Sequence, residues 1–183
     1  MKILTVIAVL TTAVSVASSP ASEAAPSVRG TVSSRFMGSS TLHEFSGTAP
    51  VASFAVEPSA DGSWSAMVDI PVAQLTTENS WRDANMRTML HADQHPALRA
   101  EFAKIVPEDV RTNGRLPFRL TIVGLSREMV ATVQQWQQTD REIEFEAEFS
   151  VSLSAFGLEA PRTLFIVVDD PVRVTARIQL RRE

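Results

Sequence analysis

The chain has 183 residues, 44% hydrophobic and 21% charged, which is enough apolar mass for one globular domain with a core of its own. A formal net charge of −4 withholds the basic footprint that a phosphate backbone demands, so nucleic acid is excluded as the expected partner. With no cysteine, a disulfide framework, a thiolate metal site and a lipid-modified cysteine anchor are all unavailable, and stability has to come from the core.

The first residues read as a targeting segment. Lys2 supplies a positive start, Ile3 to Val16 is apolar with Thr and Ser interruptions, and Ser15-Val16-Ala17 offers a small-x-small cleavage pattern, so residues 1–17 are expected to be a signal peptide cut after Ala17. The apolar run is too short and too poor in large residues for a membrane span, and none is expected after cleavage. Residues 18–27, rich in Ser, Ala and Pro, read as a flexible lead-in to a single domain over 28–183.

Val32, Ser34 and Phe36 alternate in a weak first strand, followed by the glycine-bracketed stretch Gly38 to Gly47, which reads as a bend or bulge. A strand over Val51 to Glu57 is closed by the turn chemistry of Pro58-Ser59-Ala60-Asp61-Gly62. Trp64, Ala66, Val68, Ile70 and Val72 form a third strand, whose Pro71 predicts an edge or bulge. One segment changes period: after Thr76-Thr77, which could serve as a cap, Asn79 to His91 carries Met86, Met89 and Leu90 at helical spacing and ends before His95-Pro96.

Strands then return. Ala100, Phe102 and Lys104 lead to Asn113-Gly114, a preferred hairpin pair, and Leu116, Phe118, Leu120 and Ile122 run to Gly124. A tight connection is expected at Leu125-Ser126, followed by Arg127, Met129, Ala131 and Val133, then a turn at Gln137-Gln138-Thr139-Asp140. The clearest stretch is Arg141 to Leu153, where Ile143, Phe145, Ala147, Phe149, Val151 and Leu153 alternate with Glu142, Glu144, Glu146, Glu148, Ser150 and Ser152. Burying the five large apolar side chains there is worth on the order of 10 kcal/mol before the ordering cost is counted. After the Phe156-Gly157 turn, the last strand sets Val172, Val174, Ala176, Ile178 and Leu180 against Arg173, Thr175, Arg177, Gln179 and Arg181. Its wet face is basic where that of Glu142 to Glu148 is acidic, which predicts that the two strands are neighbours.

About eight strands, short turns and one short helix leave no room for parallel crossovers, so the class is all-β and antiparallel. Nearly every strand is apolar on one face only, and one helix cannot cover them all. The economical solution is a sheet that rolls up on itself as a barrel, with a two-layer sandwich as the alternative. A barrel of this size either fills with side chains or encloses one small ligand.

In order and spacing, Ser40-Thr41-Leu42-His43-Glu44-Phe45-Ser46-Gly47, Arg82-Asp83-Ala84-Asn85-Met86, His95-Pro96 with Phe102, Leu120-Thr121-Ile122-Val123-Gly124-Leu125 and Ala155-Phe156-Gly157 resemble the YceI-like family, from about Val28 to Arg182. The resemblance implies a lipocalin-like barrel exported to the bacterial periplasm, whose members bind long apolar molecules such as polyisoprenoids. It brings no established reaction. The Leu125-Ser126 turn and the methionines of the helix depart from the family's usual pattern, which leaves the ligand's identity open.

The expected function is therefore a non-enzymatic carrier of an isoprenoid, quinone or other lipid. Its lumen would be lined by Phe36, Phe102, Leu120, Ile122, Phe145 and Phe149, with Met86 as an adaptable wall and a polar head near His43 and Arg82. Arg82 could bind a phosphate or carboxylate head, or simply reach a carboxylate or carbonyl on the rim, while Asp83 suits a helix N-terminus. Met89, Trp64, Trp81 and Trp136 are further candidates for the pocket, with core packing as an equal alternative, and Met129 is a candidate for the core. His91, Asp93 and His95 could suggest a metal site, but at a helix end they read better as capping or solvated groups. His43-Glu44 suits a base with its orienting carboxylate poorly, because neighbours on an extended chain point to opposite faces. No metal or cofactor is expected. A homodimer stays open, and the alternatives are an envelope stress or interaction module with a solid barrel, or a His-dependent hydrolase or metal enzyme.

Overall fold

The computed structural model describes residues 28–40, 44–159, 162–163, 166–167 and 169–182. The expected signal peptide and lead-in lie outside them, as do Thr41, Leu42 and His43. The strands are β1 (Val28–Ser39), β2 (Glu44–Pro58), β3 (Trp64–Pro71), β4 (Ala97–Ile105), β5 (Arg115–Ile122), β6 (Leu125–Gln138), β7 (Glu142–Ser152), β8 (Arg162–Thr163), β9 (Ile166–Val167) and β10 (Pro171–Arg182). Eight of them close into an antiparallel barrel in the order β1-β10-β7-β6-β5-β4-β3-β2, while β8 and β9 pair only with each other. The barrel expectation is met, and the sandwich is excluded.

Strict alternation translates directly into burial. Along β5 the side chains of Leu116, Phe118, Leu120 and Ile122 are buried and the residues between them face out, and β7 buries Ile143, Phe145, Ala147 and Val151. The acidic and basic faces do meet. β7 and β10 are hydrogen-bonded neighbours with Glu146 opposite Arg177 and Glu142 opposite Arg181. Outside the barrel, Arg173 pairs with Glu148 at 3.5 Å, Arg181 with Glu142 at 3.2 Å, and Arg177 with Glu144.

Four local expectations are corrected. The helix is α1 (Ser80–Met89), and its cap is Asn79, whose Oδ1 accepts from the Arg82 N–H at 3.0 Å; Thr76-Thr77 has a different task. It ends at Met89, with Leu90 as its cap and His91 at a positive φ of 47° just past it, rather than at His95-Pro96. Asn113-Gly114 is no hairpin turn: a second helix, α2 (Pro107–Asn113), joins β4 to β5, opening on a proline and closing on Gly114 at φ 63°. The tight connection sits at Val123-Gly124, with φ of 44° and 76°, and Leu125-Ser126 already belongs to β6. Pro71, by contrast, sits as expected on a local edge, where β3 pairs with β4 alone because β2 has parted from it beyond Ala66.

The β1–β2, β3–β4, β5–β6 and β7–β10 connections all leave from one end of the barrel. At the other end Val28, Ile143 and Leu180 are at most 9% exposed. β2 and β3 pair only from Val56↔Ala66 to Pro58↔Trp64 and then diverge. Further up, Thr48 and Thr76 exchange backbone hydrogen bonds of 2.8 and 3.1 Å, and α1 adds Met86, Met89 and, just beyond its end, Leu90 to the core. The helix thus completes the wall where the sheet parts.

Candidate ligand-binding site

The barrel is hollow. A cavity of about 660 Å³ runs inside it, lined by residues of all eight barrel strands and of α1. Phe36, Arg82, Met86, Phe102, Leu120, Ile122, Phe145 and Phe149 all line it, and so do Met89, Trp64 and Trp81. His43 lies outside the described residues. Trp136 and Met129 are not among the lining: Trp136 stacks on Phe145 at 5.0 Å between centroids, and Met129 packs against the core.

Two features of the sequence create the space. Inward positions that could carry large side chains carry alanine instead, as at Ala49, Ala66, Ala100, Ala131, Ala147 and Ala176, all of which line the cavity. The aromatic residues gather on the walls. Phe102 stacks on Phe118 at 5.5 Å, and Phe118 meets Phe149 edge-on at 5.0 Å, which fixes three rings on the β4–β5–β7 side. Phe45 and Phe54, absent from the sequence-derived set, line the opposite side with Phe36. Alternation marks such residues as inward-facing but does not say whether a ring crosses the lumen or lies along its wall.

Four of the polar lining residues lie together near α1. Ser40, Asn79, Arg82 and Asn85 contribute to the lining around the N-terminal half of α1 and the β1–β2 tip, and Trp81 beside them is 61% exposed. The Arg82 guanidinium lies 5.1 Å from the centroid of the Phe45 ring, and no carboxylate among the described residues pairs with it. Asp83 points the other way. Its carboxylate accepts from Thr77 N at 2.7 Å, Thr77 Oγ1 at 2.6 Å and Thr76 Oγ1 at 2.9 Å. Those bonds, Thr77's hydroxyl first, hold the buried carboxyl below the usual aspartate value. Thr76-Thr77 is therefore the anchor that ties α1 to the wall, and Asp83 is structural.

Among the described residues no group of three or more His, Asp or Glu side chains is placed to hold a metal. His91 and His95 belong to the turn after α1: the His95 N–H donates to the His91 carbonyl at 2.8 Å, and the His95 ring faces Gly124.

An antiparallel eight-stranded barrel with a hollow, largely apolar interior and a few polar groups near α1 defines a container for a small apolar molecule. The chain belongs to the YceI-like family, whose domain model matches residues 16–180. A comparison with curated proteins gave no match. Among solved structures it resembles Burkholderia cenocepacia BcnA, with a TM-score of 0.64 and 18% identity over 82% of this chain and 95% of that one. A polyisoprenoid binding domain from Saccharophagus degradans, implicated in plant cell wall breakdown, matches with a TM-score of 0.61 and 13% identity over 85% and 98% of the two chains. The Campylobacter jejuni YceI protein matches with a TM-score of 0.55 and 19% identity over 75% and 84%. At such identities the likeness is one of fold.

Proposed function

We propose that the protein is a non-enzymatic carrier that holds a long apolar molecule, a polyisoprenoid, quinone or similar lipid, inside the barrel. The single observation that carries this reading is the 660 Å³ cavity, whose lining is mostly apolar, with Ser40, Asn79, Arg82 and Asn85 near α1 among its few polar groups. Moving an apolar chain from water into such a space is driven by the surface it hides, about 25 cal/mol per Å². Arg82, half-buried and without a carboxylate partner among the described residues, suits a carbonyl, phosphate or carboxylate head near α1. The polyisoprenoid binding domain among its structural relatives gives the same reading its ligand class. We further propose export to the periplasm through cleavage after Ala17, on the strength of the N-terminal pattern.

The test is direct. Organic extraction of the protein purified from its native host, followed by mass spectrometry, should yield a prenyl lipid or quinone in roughly equimolar amount. An empty extract, together with failure of the purified protein to take up prenyl alcohols, would sink the carrier. N-terminal sequencing of the periplasmic fraction should begin at Ser18.

A further inference from the structure

The β1–β2 register places Gly30 opposite Phe54, Gly47 opposite Phe36 and Gly38 opposite Phe45. In each pair the ring lies over the glycine, in the volume that any other side chain would occupy. A Cβ added to Gly38 would sit 2.6 Å from Phe45 Cζ, and one on Gly30 would sit 2.7 Å from Phe54 Cε1 with other ring atoms nearer still. A Cβ on Gly47 would collide with the Phe36 ring and approach the Thr76 carbonyl oxygen to 2.7 Å. Real carbon atoms do not approach so closely, so a ring can lie flat on this wall only because its partner has no side chain.

All three rings line the cavity, and the open space beside them is the cavity itself. Lifted off its glycine, each ring would swing into the lumen toward Phe118 and Phe102 on the far wall. From Gly30 to Gly38 the wall spans roughly 26 Å at about 3.3 Å per residue, so the pairs sit at the end away from the β1–β2 tip, just below that tip, and at it. At the tip, the ring that Gly38 seats is the one that carries the Arg82 guanidinium.

We propose that these three glycine–phenylalanine pairs are the protein's specificity gauge: they set the bore of the lumen, and Gly30–Phe54 sets how far down a chain can reach. This rests on the carrier reading above. It assigns chain-length selection to residues that have no polar chemistry at all.

The experiment titrates geraniol and geranylgeraniol, a short and a long prenyl alcohol, against the wild type and Gly30→Ala, read by tryptophan fluorescence with circular dichroism as the check on folding. In Gly30→Ala the affinity for geranylgeraniol should fall roughly tenfold or more while that for geraniol changes little. Phe54→Ala added to Gly30→Ala should restore the long ligand. Phe54→Leu in the wild-type background leaves the glycine untouched and should shift preference toward geranylgeraniol, which keeps the test alive if Gly30→Ala does not fold. Equal loss of both ligands in a folded Gly30→Ala, or an unchanged preference in it or in Phe54→Leu, would overturn the gauge while leaving the carrier standing. If neither alcohol binds the wild type, the gauge falls, and with an empty organic extract as well the carrier reading falls too.

Discussion

Arg82 and Asp83 are adjacent on α1 yet serve opposite masters, because one helical step of about 100° sends the first to the lumen and the second to the wall. Replacing Arg82 with Gln removes the charge and keeps most of the bulk. Geranylgeranyl phosphate should then bind roughly tenfold more weakly, while geranylgeraniol changes little, as competition titrations would show. Equal losses would mean that Arg82 acts through packing on Phe45. Asp83 bears on stability instead. Asp83→Ala strands the donors of Thr76 and Thr77 and should cost about 2 kcal/mol in urea unfolding, with Asp83→Asn costing less because it still accepts. The folded carboxyl titrates below its unfolded value of about 3.9, so its contribution is complete above that value and is lost as pH falls through the lower, folded one. Below about pH 4, Asp83→Asn should therefore lose stability less steeply than the wild type.

At the level of elements, the chain was readable where one physical cause acts and misleading where two share a signature. β5 and β7 follow from alternation alone, since each has one dry face. The β7–β10 pairing followed from charge, and its exposed ion pairs fix register more than they add stability, so their effect should fade with salt. Asn113-Gly114 misled because a hairpin turn and a helix end both call for a left-handed residue, and Gly114 at φ 63° would serve either. Val123-Gly124 escaped notice because a branched valine rarely accepts φ 44°. The hollow itself was only half legible: the inward rows could be named, but ring direction depends on which residue of the neighbouring strand lies opposite. The turns differ in tolerance. Gly114→Ala meets only Val133 O at 3.5 Å and should cost about 1 kcal/mol, the strain of the left-handed backbone. Gly124→Ala also presses on the His95 ring at 3.3 Å and should cost more, with urea midpoints as the measure.

For the molecule as a whole, hollowness makes an unusual prediction about overpacking. Ala147 is 3% exposed and faces the lumen. In a solid interior Ala147→Trp would cost about 1–3 kcal/mol or more. Here the indole should enter the empty space with a smaller loss of thermal stability while abolishing uptake of geranylgeraniol; a large loss of stability with binding intact would contradict the cavity. Closure of the ring carries a last consequence. β10, the final strand of the sequence, lies between β1, the first described strand, and β7, with Val28 opposite Arg182. Until those last dozen residues arrive, the sheet has two raw margins and no inside. A chain without β10 would be an open sheet, and it is this one strand that makes the sheet a vessel.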